Sequence, residues 1–267
     1  MLSFNSKLRY YVTISALVLL AATAAGSWLA IKTYRKLASI DSRLVSVIDN
    51  AAFEYQHSYT RKLVIRSHME QIDSDYVAIV GDSITEALSK QAACGFPLLN
   101  AGIGGATISE ADRDILPLLR VRAPQALVIA VGVNDARKMS TKPRPQRIRD
   151  FEHEYRALLA AAKTMSPRIA VATIGPVEKG RVYGDAVYDS GLIKQFNDII
   201  RSVSKENDIL AIDLSIMADA TGFARDGSTI DGVHLSAQGY AGWWSAIEDG
   251  LSSVMPDCHP SGAAADL

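Results

Sequence analysis

Tyr76-Val77-Ala78-Ile79-Val80 runs directly into Gly81-Asp82-Ser83-Ile84-Thr85. A short, β-branched apolar run that stops abruptly at Gly-Asp-Ser reads as a buried strand delivering a serine to a turn. In open α/β sheets, ligands bind outside the carboxyl ends of the strands. A serine at that position is placed as a nucleophile, although Gly-Asp-Ser also marks ordinary turns and helix N-caps. Outward from this stretch, strand signals at 76–81, 97–101, 126–132, 168–174 and 209–214 alternate with helical patterns at 84–92, 108–121, 147–165, 191–206 and 236–253. Such alternation predicts a parallel sheet with helices on both faces. The near-continuous apolarity of the strands fits burial on both sides.

A serine hydroxyl is a poor nucleophile at neutral pH and needs a base, usually a histidine oriented by a carboxylate. Asp231-Gly232-Val233-His234 supplies both from one loop, between a strand signal and the last helix signal. Two other pairs share the spacing, Asp150 with His153 and Glu54 with His57. Both sit in amphipathic helical stretches, where such neighbours share a solvated face. Asn100-Ala101-Gly102-Ile103-Gly104-Gly105-Ala106-Thr107 and Gly132-Val133-Asn134-Asp135 each follow a strand signal. A glycine lets its backbone N–H approach a developing oxyanion, and an asparagine amide adds a second donor. Taken singly, these segments are also ordinary turns.

The four segments in this order resemble the GDSL/SGNH hydrolase superfamily, whose blocks carry Ser, Gly, Asn and His. The resemblance covers about residues 75 to 253 and looks closest to the carbohydrate-esterase and acetylhydrolase branch. It implies a flavodoxin-like, three-layer α/β/α sandwich on a five-stranded parallel sheet. It further implies Ser83 as nucleophile, His234 as base and Asp231 as its orienting carboxylate. The implied oxyanion hole is the Ser83 N–H, the Gly105 N–H and the Asn134 side chain. Gly105 is favoured over Gly104 because it stands five residues after Asn100, as in the family pattern. The expected chemistry is hydrolysis of a short-chain or O-acetyl ester through an acyl-serine. An O-acyltransferase acting on an envelope or secreted polysaccharide is the first alternative. A non-catalytic glycan-binding protein on the same fold is the second.

Residues 10–31 are uncharged and long enough to span a bilayer core, with Lys7 and Arg9 before them and Lys32, Arg35 and Lys36 after. Ala22-Thr23-Ala24 offers a signal-peptidase-like site, but the apolar run continues past it, which favours an uncleaved anchor. The expected organisation is an anchor over 1–32, a helical stalk or linker over 33–74, a hydrolase domain over 75–254 and a flexible tail over 255–267. Leu37, Ile40, Leu44, Val47 and Ala51 have helical spacing, consistent with a short coiled coil or a stalk packed on the domain. The flanking charges leave orientation open, and export of the hydrolase domain is the expectation.

The chain has 267 residues, 48% of them hydrophobic, and a formal net charge of −1. That length buries one sizeable core, and the balance of charge argues against a nucleic-acid binder. The expected partners are an ester substrate, an acylated glycan among the candidates, and a membrane through the N-terminal helix. No cofactor and no metal are expected, since no phosphate-binding loop or metal-ligand spacing occurs. Cys94 and Cys258 are the two cysteines, and spacing alone does not decide whether they pair. The long loop 175–191 reads either as a substrate-facing lid or as mobile surface. Arg137, Lys138, Lys142, Arg144, Arg147 and Arg149 form a basic stretch suited to an anionic substrate or simply to water.

Overall fold

The computed structural model describes residues 52–258 and, upstream, 23, 27–29, 31–37 and 39–40. Two units part between Gln56 and His57. In the first, the described residues are helical. Most of the apolar run 10–31 lies outside the described residues, as do 41–51 of the heptad-like stretch and 259–267 of the expected tail. Among the described residues, no helix is long and apolar enough to cross a membrane.

In the second unit, helical backbone over 57–71 (α1) precedes β1 (Val77–Gly81), which is buried along its whole length. β1 pairs in parallel with β3 (Phe96–Gly102) on one side and β4 (Ala126–Ala130) on the other. β5 (Ile169–Ala172) and β6 (Leu210–Ile212) extend the sheet, again in parallel. These five strands take the order 2-1-3-4-5, the doubly wound order whose switch point lies between its first and third strands. The expected five-stranded parallel sheet needs one correction. A two-residue strand, β2 (Ala92–Ala93), joins the edge antiparallel to β3 and makes the sheet six-stranded and mixed. Two residues carry no readable alternation. What creates β2 is the reversal at Cys94 and Gly95, both with positive φ, and a disulfide from Cys94 to Cys258.

Alternation along the strands sorts the core into two layers. Ala78, Val80, Leu99, Leu127, Ile129 and Val171 face one side. There they meet Ile65 and Met69 of α1, Phe151 and Tyr155 of α4 (Arg144–Lys163), and Phe196 of α5 (Ser190–Glu206). Phe151 and Phe196 stack with ring centroids 3.7 Å apart. Val77, Ile79, Ala126, Val128 and Ala170 face the other side, against Trp243, Trp244, Ile247 and Leu251 of α6 (Ala237–Val254). The result is a helix–sheet–helix sandwich with most helices on one face.

Two helices differ from their sequence reading. The helix read as 84–92 stops at one turn, α2 (Ser83–Glu86). The Asn100 amide donates to the carbonyls of Thr85 and Leu88 at 2.7 and 3.1 Å, satisfying acceptors that a longer helix would have paired itself. The helix read as 108–121 begins as α3 (Ile108–Glu110), widens to a π turn over Ala111–Ile115 and tightens to 3-10 geometry over Leu116–Val121. Pro117 has no N–H and its ring crowds the preceding turn, so the regular ladder cannot pass.

Candidate active site

Gly81 ends β1 where a side chain has no room: a Cβ there would lie 2.0 Å from Thr85 Oγ1 and 2.6 Å from the Ala130 carbonyl. The glycine lets the chain turn tightly from β1 into α2. Asp82 caps α2, its Oδ1 accepting the Ile84 N–H at 3.0 Å. Asp82 is only 2% exposed. Burial pushes its carboxyl up to about 6, although the Ile84 N–H and the nearby His234 and Arg137 pull it back down. Ser83 follows at the carboxyl end of β1, beside the switch point, where the sequence placed it.

His234 arrives from the far end of the chain. Its Nε2 lies 2.9 Å from Ser83 Oγ, across 151 residues of sequence. Its Nδ1 lies 2.7 Å from Asp231 Oδ2. Asp231 Oδ1 in turn accepts the backbone N–H of His234 at 2.9 Å and of Val233 at 3.1 Å. Burial pushes the Asp231 carboxyl up, but the His234 ring and these two N–H groups outweigh it and hold it below the usual carboxylate range. The loop therefore presents an anion to one imidazole nitrogen while the other faces the serine. Ser83, Asp231 and His234 are brought together as expected.

Asn134 follows β4 and is 7% exposed; its Nδ2 donates to the Ala106 carbonyl at 3.0 Å. That bond uses one amide hydrogen and leaves Nδ2 a second. Gly105 is exposed, with φ +80, and a Cβ there would meet nothing within 4 Å. The neighbouring Gly104 N–H is taken by Glu86 Oε2 at 2.5 Å. Of the two glycines, Gly105 is thus the one whose amide is not spent on a carboxylate of the site.

The rival pairs separate. Asp150 is bound by Lys142 at 2.6 Å, and His57 lies 3.0 Å from Glu86. The basic stretch is largely consumed at home: Arg144 pairs with Asp189, and Arg147 donates to the carbonyls of Asp135 and Arg137. The loop 175–191 lies against the histidine loop. It is tied to the histidine loop by Glu178 N–H to the Gly232 carbonyl at 2.8 Å and by Tyr183 N–H to the Asp231 carbonyl at 2.9 Å. Buried Glu178 also accepts from Thr229 Oγ1, which accepts the Gly232 N–H at 3.0 Å. Thr229 and Glu86 escaped the sequence reading, and Glu178 entered it only as one of the residues of the loop 175–191. An acidic residue three positions after the serine is the one signal that could have found Glu86. Among the described residues, no group of three or more His, Cys, Asp or Glu is arranged to hold a metal ion.

The profile of the GDSL-like Lipase/Acylhydrolase family matches residues 79–241. No curated protein matches the chain. Solved structures share its fold at low identity. A lipase/acylhydrolase from Enterococcus faecalis is 18% identical over 71% of this chain and 100% of its own, with a TM-score of 0.56. A GDSL-like lipase from Bacteroides thetaiotaomicron is 18% identical over 68% of this chain and 89% of its own, with a TM-score of 0.54. An acetyl xylan esterase variant from Geobacillus stearothermophilus is 16% identical over 68% of this chain and 96% of its own, with a TM-score of 0.52.

Proposed function

The chain belongs to the GDSL-like lipase/acylhydrolase family and is a serine hydrolase, and from that premise we propose that it cleaves short-chain, O-acetyl-type esters through an acyl-serine at Ser83. The observation that carries this reading is the hydrogen-bonded series Asp231–His234–Ser83. His234 Nε2 takes the Ser83 proton as Oγ attacks the ester carbonyl. Asp231 holds the Nδ1–H and stabilises the imidazolium that forms. The oxyanion is received by the Ser83 and Gly105 N–H groups and the second Asn134 amide hydrogen. His234 then protonates the leaving alcohol; water, deprotonated by the same nitrogen, attacks the acyl carbonyl, and the acid leaves as the acyl–Oγ bond breaks and His234 returns the proton to Ser83 Oγ.

The space beside the site supports a small acyl group. A small cavity of about 20 Å³ is walled by Ile84, Val133 and Val233, the chain neighbours of Ser83, Asn134 and His234, and by Met217, Ala224 and Trp243 behind them, and its size is in keeping with a small acyl group. A larger cavity of about 360 Å³ opens from Asn134 past Arg137, Lys142, Asp150 and Glu154. Its wall mixes those charged groups with Met139, Phe151 and Phe196, the pairing of hydrogen-bonding groups with flat apolar faces that suits a sugar alcohol, and an acetyl xylan esterase shares the fold. p-Nitrophenyl acetate, butyrate and octanoate, offered to the full chain, test the reading. Turnover should fall with chain length and drop at least about 1000-fold in Ser83→Ala and His234→Ala. Octanoate hydrolysed as fast as acetate, or activity surviving in Ser83→Ala, refutes it.

The same proposal places the hydrolase unit on the exported side of a membrane, held by residues 10–31. Two features support this: the uncharged length of that run and the Cys94–Cys258 disulfide, a bond that persists in oxidising compartments. Alkaline phosphatase fused after Cys258 should be active in cells, and an inactive fusion overturns the placement.

A further inference from the structure

Gly104 and Gly105 form the centre of a β-turn closed by the Ala106 N–H on the Ile103 carbonyl at 3.1 Å. The φ of +80 at Gly105 is the signature of type II at its third position. Type I and type II turns differ chiefly in the direction of the central peptide. Here that peptide carries the Gly105 N–H. The direction of one oxyanion donor therefore depends on what holds the turn.

Three linked side chains hold this segment. Glu86, at the end of α2, accepts the Gly104 N–H on Oε2 at 2.5 Å. His57 Nε2 of α1 meets the same oxygen at 3.0 Å, and Arg61 Nε lies 3.4 Å from Oε1. Arg61 also donates to the carbonyls of Gly102 and Asn100 at 3.0 and 3.2 Å. A Cβ on Gly102 would sit 2.2 Å from the Glu86 N atom, so the segment packs directly on α2. Glu86 lies three residues from Ser83 on the same helical turn. One short element thus carries both the serine and the group that orients the turn opposite it.

We propose that Glu86 is a positioning residue, fixing the Gly105 N–H toward the oxyanion, and that Arg61 and His57 bring α1 into the catalytic unit by holding Glu86 in place. This rests on the esterase reading above and extends it: the helix read from sequence as a stalk takes part in building the oxyanion hole. Removing the carboxylate releases the Gly104 N–H, the fixed corner from which the central peptide starts, so the Gly105 N–H loses its anchored direction. The cost falls on the transition state, because only there is the oxyanion formed.

The experiment compares wild type, Glu86→Ala, Glu86→Gln and Ser83→Ala as full chains with p-nitrophenyl acetate. The initial burst of p-nitrophenol counts functional sites, so misfolded protein does not enter the rate. In Glu86→Ala, kcat per functional site should fall about 10- to 100-fold with KM within about twofold of wild type. Glu86→Gln keeps an oxygen for the Gly104 N–H and should recover most of the loss. In glycine-15N-labelled protein, the Gly104 amide, identified by its disappearance in Gly104→Ala, should shift in Glu86→Ala. An unchanged kcat per site, with Ser83→Ala inactive, overturns the positioning role and leaves the esterase reading standing. A deficit that disappears on counting sites, or that lies in KM alone, also overturns it. If wild type turns over no ester, the esterase reading fails, and a Gly104 amide unmoved by Glu86→Ala refutes the anchor as well.

Discussion

The Cys94–Cys258 disulfide closes a loop of 164 residues, nearly the whole hydrolase unit. Cross-links act largely by denying the unfolded chain its open conformations, and the entropy removed grows with loop length. For a loop of this size the chain-entropy estimate is about 5 kcal/mol. A domain of 150–250 residues shifts its melting temperature by about 2–4 °C per kcal/mol. Reduction should therefore lower Tm by about 10–20 °C. The bond joins the turn at the amino end of β3 to the chain beyond α6, while Ser83 stands at the carboxyl end of β1. Activity below the new melting temperature should thus be unchanged. Scanning calorimetry with and without a phosphine reductant, repeated on the Cys94→Ser/Cys258→Ser variant, measures the shift, with thiol titration confirming two free sulfhydryls after reduction. A shift under about 3 °C in chain proven to be reduced refutes the reasoning, as does a parallel loss of kcat at low temperature.

Two further perturbations follow from the site. Asp82 has a folded pKa of about 6, above its unfolded value of 3.8, so between those values the folded state holds a proton that unfolding releases. Stability contributed at this position is full below pH 4 and is lost as pH rises through 6, a loss of about 3 kcal/mol; Asp82→Asn should flatten that part of a urea-midpoint profile, and an unaltered slope contradicts the burial argument. Gly232 has φ +117, and a Cβ there would lie 2.3 Å from the Gly184 N atom, so Gly232→Ala should destabilise by at least about 2 kcal/mol and lower kcat/KM by disturbing His234; a variant within about 0.5 kcal/mol of wild type in urea shows that the loop 175–191 is not packed on the histidine loop as described.

The parts of the fold that could be read from sequence are those where chemistry and position coincide. Ser83, Asn134 and the Asp231–His234 loop each follow a strand signal, and each residue type has a narrow reason to stand there. The parallel strands were readable because both faces are buried and the apolar runs are continuous. β2 was not readable, because its two residues owe their pairing to a turn and a disulfide. The early stop of α2 depends on an asparagine fourteen residues further on, and no local pattern encodes that. Glu178 and Thr229 reach the histidine loop from sequence positions 51 apart, so their role exists only in three dimensions. The loop 175–191 has the polar, aromatic look of a moving element, yet its backbone hydrogen bonds make it a brace.

Ser83 and His234 stand 151 residues apart in the chain. At about 5–20 residues per second, the serine leaves the ribosome roughly 8–30 s before its base. Throughout that interval the nascent polypeptide carries a hydroxyl with nothing to deprotonate it. On the proposed mechanism, a product cut short anywhere before Asp231 lacks both the base and its carboxylate, however well its first strands pair. The order of synthesis then acts as a safety catch: on the proposed mechanism the serine is disarmed until the histidine loop is made and folded against it.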